Sequence, residues 1–111
     1  MDNSTEAIVV LMTAASYDEA SRIAEALVGE RLAACVQILP EMQSVYRWQG
    51  GVQREKEILF LAKTVASRFD ELENRVRAMH SYETPEVVAI SVADVSAPYL
   101  KWLLSEVREN S

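Results

Sequence analysis

Several things that would point to a chemistry are scarce in this chain. It has one cysteine, Cys35, and one histidine, His80, in 111 residues. One cysteine excludes an intrachain disulfide and fits a reducing compartment. One histidine excludes a histidine-rich zinc centre within a subunit. Only three glycines are present, Gly29, Gly50 and Gly51, so no glycine-rich phosphate loop is written into the chain. The bases do not cluster, and eleven of them face seventeen acids for a formal net charge of −6. That excludes the basic face a phosphate-backbone binder needs and gives no attraction to an anionic membrane. The apolar run Ala7 to Met12 is too short for a signal-peptide core or a membrane span. The expectation is a soluble cytoplasmic protein that engages neither nucleic acid nor membrane.

What is present reads as one α+β domain. Half of the residues are hydrophobic and a quarter are charged, enough for a packed core. Ile8 to Met12 is a continuous apolar run of strand length. Ser16 and Glu19 form a capping box that opens a helix with Ala20, Ile23, Ala24, Leu27 and Val28 on one stripe, ending near Gly29. Ala33 to Leu39 reads as a second strand, and Pro40 interrupts it, which requires an edge or a bulge. Strand character resumes over Ser44 to Trp48, turns at Gln49-Gly50-Gly51, and returns over Val52 to Val65. Ser67 and Asp70 open a second helix with Phe69, Leu72, Val76 and Met79 on its stripe. Glu86 to Ala93 is a fourth strand, and Ser96 caps a last helix that buries Leu100, Leu103, Leu104 and Val107.

The order β-α-β-β-α-β is the ferredoxin-like arrangement, here with an added C-terminal helix. The domain is expected over residues 7–108, with frayed tails at 1–6 and 109–111. The hairpin around Gly50 is longer than two short helices can cover. Its outer part carries Tyr46 and Trp48, so either it is an exposed edge or it meets another subunit.

Polar chemistry concentrates in Met79-His80-Ser81-Tyr82-Glu83-Thr84-Pro85-Glu86, closed by a proline that forbids helix continuation. By residue type this is either a site or an ordinary helix-to-strand loop. No Ser-His-Asp or Cys-His spacing points to catalysis, and nothing in the sequence shows that the carboxylates Glu57, Glu83 and Glu86 converge. An RNA-recognition reading of the same fold order would need stacking aromatics in a basic surround, and the third strand offers only Phe60.

Arg31-Leu32-Ala33-Ala34-Cys35-Val36, Ser44-Val45-Tyr46-Arg47-Trp48-Gln49-Gly50, Glu57 to Lys63-Thr64, His80 to Glu86, and Tyr99-Leu100-Lys101-Trp102-Leu103 follow one another in the order of the CutA family. The chain resembles these divalent-cation-tolerance proteins over nearly its whole length. The resemblance implies a PII-like homotrimer, with Tyr46 and Trp48 at the trimer interface and no enzymatic reaction. It implies a link to copper or other divalent cations, with no cofactor required for the fold. In copper-binding members the ligands are a cysteine near the end of the first strand and two histidines before the Tyr-x-x-Pro segment. Those positions are Met12, Met79 and His80 here. Thioethers are soft donors that suit Cu(I), so such a set would bind Cu(II) weakly. Against this, both methionines fall on apolar stripes, where a methionine is more often a core filler than a ligand. His80 stands where it can donate to helix-end carbonyls instead. A PII-like trimer also leaves open a sensor role, with a small molecule in an inter-subunit cleft lined by Lys63, Tyr82, Glu83 and Trp102, or a protein partner. Cys35, in an apolar strand, reads as a small buried hydrophobe or as a soft ligand lacking a second donor.

Overall fold

The computed structural model describes residues 6–107. The expected tails thus lie outside the described residues, apart from Glu6, whose carbonyl accepts from the Ala66 amide at 2.8 Å. The elements are β1 (Ala7–Ala14), α1 (Tyr17–Gly29), β2 (Cys35–Trp48), β3 (Gly51–Val65), α2 (Phe69–Met79), β4 (Val87–Ser91) and α3 (Ala97–Val107). The four strands form one antiparallel sheet in the order β2-β3-β1-β4. This is the ferredoxin-like arrangement with an added C-terminal helix.

Alternation along β1 and β3 divides the sheet into two faces. Val10, Met12 and Ala14 of β1 and Ile58, Phe60 and Ala62 of β3 are buried with Ala20, Ile23 and Leu27 of α1 and Leu72 and Val76 of α2. The opposite face presents Val9, Leu11, Leu59 and Leu61, half-buried, beside Val88 and Ile90 of β4, each 47% exposed. The last helix reaches only one end of the molecule, where Leu103 and Val107 pack on Ala34 and Val65.

Local signals explain most element boundaries. Ser16 Oγ accepts from the Glu19 amide at 3.2 Å, which caps α1. Gly29 is the last residue of α1, but the left-handed residue past the helix is Arg31, with φ 61°. The Leu32 amide reaches back to Leu27 O at 2.9 Å, and the Arg31 guanidinium donates to Glu106 O at 3.2 Å. Contacts to the preceding helix and to α3 thus hold a conformation that glycine would adopt more easily. The second helix is not opened by a Ser67 cap. A short 3-10 turn over Ala66–Arg68 leads into it, with buried Arg68 donating to Val107 O at 2.9 Å. The fourth strand is shorter than Glu86 to Ala93, since pairing with β1 ends at Ser91.

Pro40 sits in a bulge. Ile38 pairs with Phe60 and Glu41 with Ile58, so β2 advances three residues while β3 advances two. The extra residue reverses the facing of β2. Before the bulge, Cys35 and Gln37 share the open face with Lys63 and Leu61. After it, Met42, Ser44, Tyr46 and Trp48 share that face with Glu57, Glu55, Gln53 and Gly51. At the tip, Gln49 and Gly50 have φ of 50° and 81°, two left-handed residues as in a type I′ turn. The hairpin gives the molecule a long axis of 44 Å against 26 and 24 Å for the others.

Candidate functional site

The parity change at Pro40 and the loop before β4 build one cleft. It has a volume of about 620 Å³ and lies at the outer end of the open sheet face. Tyr46 and Trp48 from β2, Glu55 and Glu57 from β3, Thr13 from β1, and Tyr82, Glu83 and Glu86 from the loop contribute to its lining. Four carboxylates and three aromatic rings line it, and none of its lining residues is a base. Its field therefore favours cations.

The loop is fixed by its own polar groups. His80 follows α2 in an extended conformation, and its amide still closes the helix by donating to Val76 O at 2.9 Å. Its side chain is fully buried. Nε2 lies 2.7 Å from Thr13 O, and Nδ1 lies 3.0 Å from the Tyr82 amide nitrogen. A carbonyl can only accept and an amide N–H can only donate, so these contacts define a neutral imidazole protonated on Nε2. Glu19, buried at the start of α1, accepts from the Ser81 amide at 2.7 Å and the Ala15 amide at 3.1 Å. Burial alone would push the Glu19 carboxyl up. The hydrogen bonds from Ser81 and Ala15 outweigh it and hold Glu19 below the ordinary carboxylate range.

Held this way, Tyr82 donates its hydroxyl to Glu57 Oε2 at 2.9 Å. Glu57 is only 8% exposed, so this bond partners a carboxylate that water scarcely reaches. Burial, the bond to Glu57 and the surrounding carboxylates all push the Tyr82 phenol up. Burial, then Glu55 and Glu57, raise Tyr46 likewise.

The residues singled out in the sequence fall in three places. Tyr82, Glu83, Tyr46 and Trp48 come together in the cleft. Within the subunit, Lys63 and Trp102 do not join them. Six residues along β3 separate Lys63 from Glu57, roughly 20 Å at strand rise. Lys63 Nζ lies 5.5 Å over the Tyr99 ring, and Tyr99 packs against Trp102 with ring centres 5.3 Å apart. Cys35 belongs to this second cluster. It is half-buried rather than enclosed, and its Sγ is 3.5 Å from the Tyr99 hydroxyl. That contact, then burial, pushes the Tyr99 phenol up to about 12.

Met12, Met79 and His80 do not offer a metal three free donors. Met12 is 0% exposed between Phe60 and Val87, and Met79 packs against the same core. Both His80 nitrogens already have protein partners. A copper ion does not fit that set as it stands. Among the described residues, no three His, Cys, Asp or Glu side chains converge to cage a metal ion. Phe60, the one aromatic on β3, faces the helices and is not presented on the open face for stacking.

The sequence had flagged Glu19 only as part of a capping box. Its reach to Ser81, 62 residues away, carries no sequence signal. Thr13 acts through its backbone carbonyl, which any residue would supply.

A ferredoxin-like α+β domain with an apolar open sheet face and an acidic cleft beside it is the class this structure defines. Within that class, the family model described as "CutA1 divalent ion tolerance protein" matches residues 8–106, and the chain belongs to that family. It is 50% identical to the divalent-cation tolerance protein CutA of Thermus thermophilus over 103 residues, 93% of this chain and 96% of that one. The CutA1 structure from Oryza sativa superposes with a TM-score of 0.92 at 38% identity, covering 98% of this chain and all of that one. The Archaeoglobus fulgidus structure, described as a periplasmic divalent cation tolerance protein, superposes at 0.89 with 35% identity, covering 92% and 99%. The family description names ion tolerance and no reaction. Among the described residues no helix is long and apolar enough to cross a membrane.

Proposed function

We propose that this protein is a homotrimeric divalent-cation tolerance protein whose cation-facing site is the acidic cleft. The observation that carries the assembly is the open sheet face. Val9, Leu11, Leu59, Leu61, Val88 and Ile90 form one contiguous aliphatic surface that α1 and α2 leave uncovered. A surface of this kind is stable in water when other copies of the chain cover it. Tyr46 and Trp48, at the rim of the same face, extend the contact.

Cation capture in the cleft is weak and runs through water. Glu55, Glu57, Glu83 and Glu86 supply negative charge without forming a cage, and one oxygen of Glu57 is held by Tyr82. Oxygen donors suit hard divalent ions better than copper. A second reading, a sensor for a small molecule, is favoured by the aromatic walls. Tyr46, Trp48 and Tyr82 beside carboxylates fit an organic cation better than an anionic nucleotide. The unpaired Cys35 supports a reducing, cytoplasmic setting.

Light scattering is the test of assembly. Wild type is expected at the mass of three subunits, and Val88→Asp at one subunit with its circular dichroism retained. A wild-type monomer at micromolar concentration would refute the trimer. Titration with Mn²⁺ is expected to show weak binding that Glu83→Gln with Glu86→Gln removes.

A further inference from the structure

We infer that the cleft takes a linear aliphatic diamine, with one ammonium seated between Thr13 and Glu57 and the chain lying along the aromatic wall. The inference rests on the reading of the cleft as a cation-facing site, and it names the occupant.

Two groups on the cleft wall have hydrogen-bonding capacity that the chain leaves unused. Thr13 is 3% exposed and stands on the open face of β1, in step with Val9 and Leu11. Its carbonyl serves His80, while its hydroxyl has no partner among the described residues. A polar group that deep is ordinarily bonded. Glu57 is 8% exposed, and only its Oε2 has a partner, the Tyr82 hydroxyl. Among the described residues, no side-chain oxygen or nitrogen is both sealed from solvent and unbonded, so these two atoms meet the content of the cleft. Thr13 pairs with Leu59, which makes Glu57 its diagonal neighbour on the same face, roughly 7–8 Å away. No bond joins the two side chains across that gap. A primary ammonium carries three N–H donors, so one ion between them can serve both the hydroxyl and Oε1.

Size and wall chemistry decide between a metal ion and an organic cation. Six waters around a divalent ion fill roughly 180 Å³ at about 30 Å³ each. The cleft, at about 620 Å³, is more than three times larger and falls in the range of small-molecule sites. Tyr46, Trp48 and Tyr82 wall it with rings, which pack methylenes and attract alkylammonium groups.

The charge calls for two ammonium groups. Glu55 lies two residues before Glu57 on the same face of β3, about 7 Å along the strand, and Glu83 and Glu86 approach from the loop. Among the described residues, none of these four carboxylates is in an ion pair. One ammonium at Glu57 leaves the others unanswered, and a second at the far end of a short methylene chain meets them. Alkyl amines titrate near the lysine value of about 10.4, so both ends are charged at neutral pH.

Calorimetric titration of the full chain with 1,4-diaminobutane tests this, beside 1-aminobutane, tetramethylammonium and Mn²⁺. The diamine is expected to bind roughly tenfold tighter than the monoamine, and tetramethylammonium, which has no N–H, weaker still. Thr13→Val should weaken the diamine by roughly tenfold and leave Mn²⁺ affinity unchanged. The melting temperature of the free variant should hold or rise, because the hydroxyl has no protein bond to lose. Glu57→Gln keeps an acceptor for Tyr82 and should weaken the diamine at least as much. A diamine that binds no tighter than tetramethylammonium, or binds Thr13→Val as well as wild type, overturns the inference. So does Mn²⁺ binding that the diamine cannot displace, which leaves the cation-facing cleft standing. Silence from both Mn²⁺ and the diamine overturns the two together.

Discussion

The inner and outer halves of the β2–β3 hairpin share strands and a ladder, yet they are held by different things. From Cys35 to Ile38 and Phe60 to Lys63, one face rests on the helices and contributes Phe60 and Ala62 to the core. From Met42 to Trp48 and Gly51 to Lys56, side chains are mostly exposed, with Trp48 at 54%. Strand formation therefore does not require the chain's own core. Backbone pairing and the tip turn continue the ladder past the point where burial stops. The bulge at Pro40 lies at the changeover and turns Tyr46 and Trp48 to the open face. The inner half stabilises the subunit. The outer half leaves Tyr46 and Trp48 exposed, at the contact proposed above for the assembly.

The largest expected effect breaks the inner half. Phe60→Ala empties a fully buried site and should cost about 3–5 kcal/mol, enough to approach the stability of an ordinary domain. Trp48→Ala, at the other end of the ladder, should change subunit stability by less than about 0.5 kcal/mol while weakening assembly. Urea denaturation and light scattering on the same two variants check the contrast. Equal losses of stability would show that the two halves fold as one unit.

A smaller effect is expected where the halves meet. Tyr82→Phe removes the hydroxyl that partners Glu57 and leaves a poorly hydrated carboxylate, at a cost of about 1–3 kcal/mol. The pH dependence has a definite sign. The Tyr82 phenol is raised in the folded protein, so its contribution is complete below the ordinary tyrosine value, near pH 10, and fades as pH rises through the folded value. The gap between wild type and Tyr82→Phe should stay constant between pH 7 and about pH 9 and narrow only above about pH 10. A gap that already closes below pH 9 in denaturation curves would assign it to something other than the phenol.

The inner half was largely legible in the sequence, and the site was only partly so. Apolar runs at Ile8 to Met12 and Ile58 to Ala62, the Ser16–Glu19 cap and the proline interruption each carry a local physical signal. Their assembly into this sheet followed from element order. The cleft did not, because its composition depends on the direction in which one extra residue at Pro40 turns the rest of β2. Tyr82 and Glu83 were found because polar residue types crowd one loop. Within one subunit the length of β3 carries Lys63 to Tyr99, at the opposite end from Tyr82 and Glu83. The metal positions at Met12 and Met79 came from resemblance, whereas the apolar stripes they fall on already pointed to the core, where both pack.

The smallest effect sharpens the outer half without touching its contacts. Gln49 holds φ of 50° beside Gly50 at 81°, and an L-residue with a long side chain adopts that region at a cost. Asparagine tolerates it better, because its short amide bonds locally, and Asn-Gly is the favoured pair for this turn. Gln49→Asn should therefore stabilise the hairpin by roughly 0.5 kcal/mol. If the tip is what keeps the outer ladder in register, hydrogen exchange should slow at Tyr46, Trp48 and Gln53, whose amides point into the ladder, and stay the same at Gln37 and Leu61. Slowing in both halves would mean that the tip turn, rather than the core, sets the register of the whole hairpin.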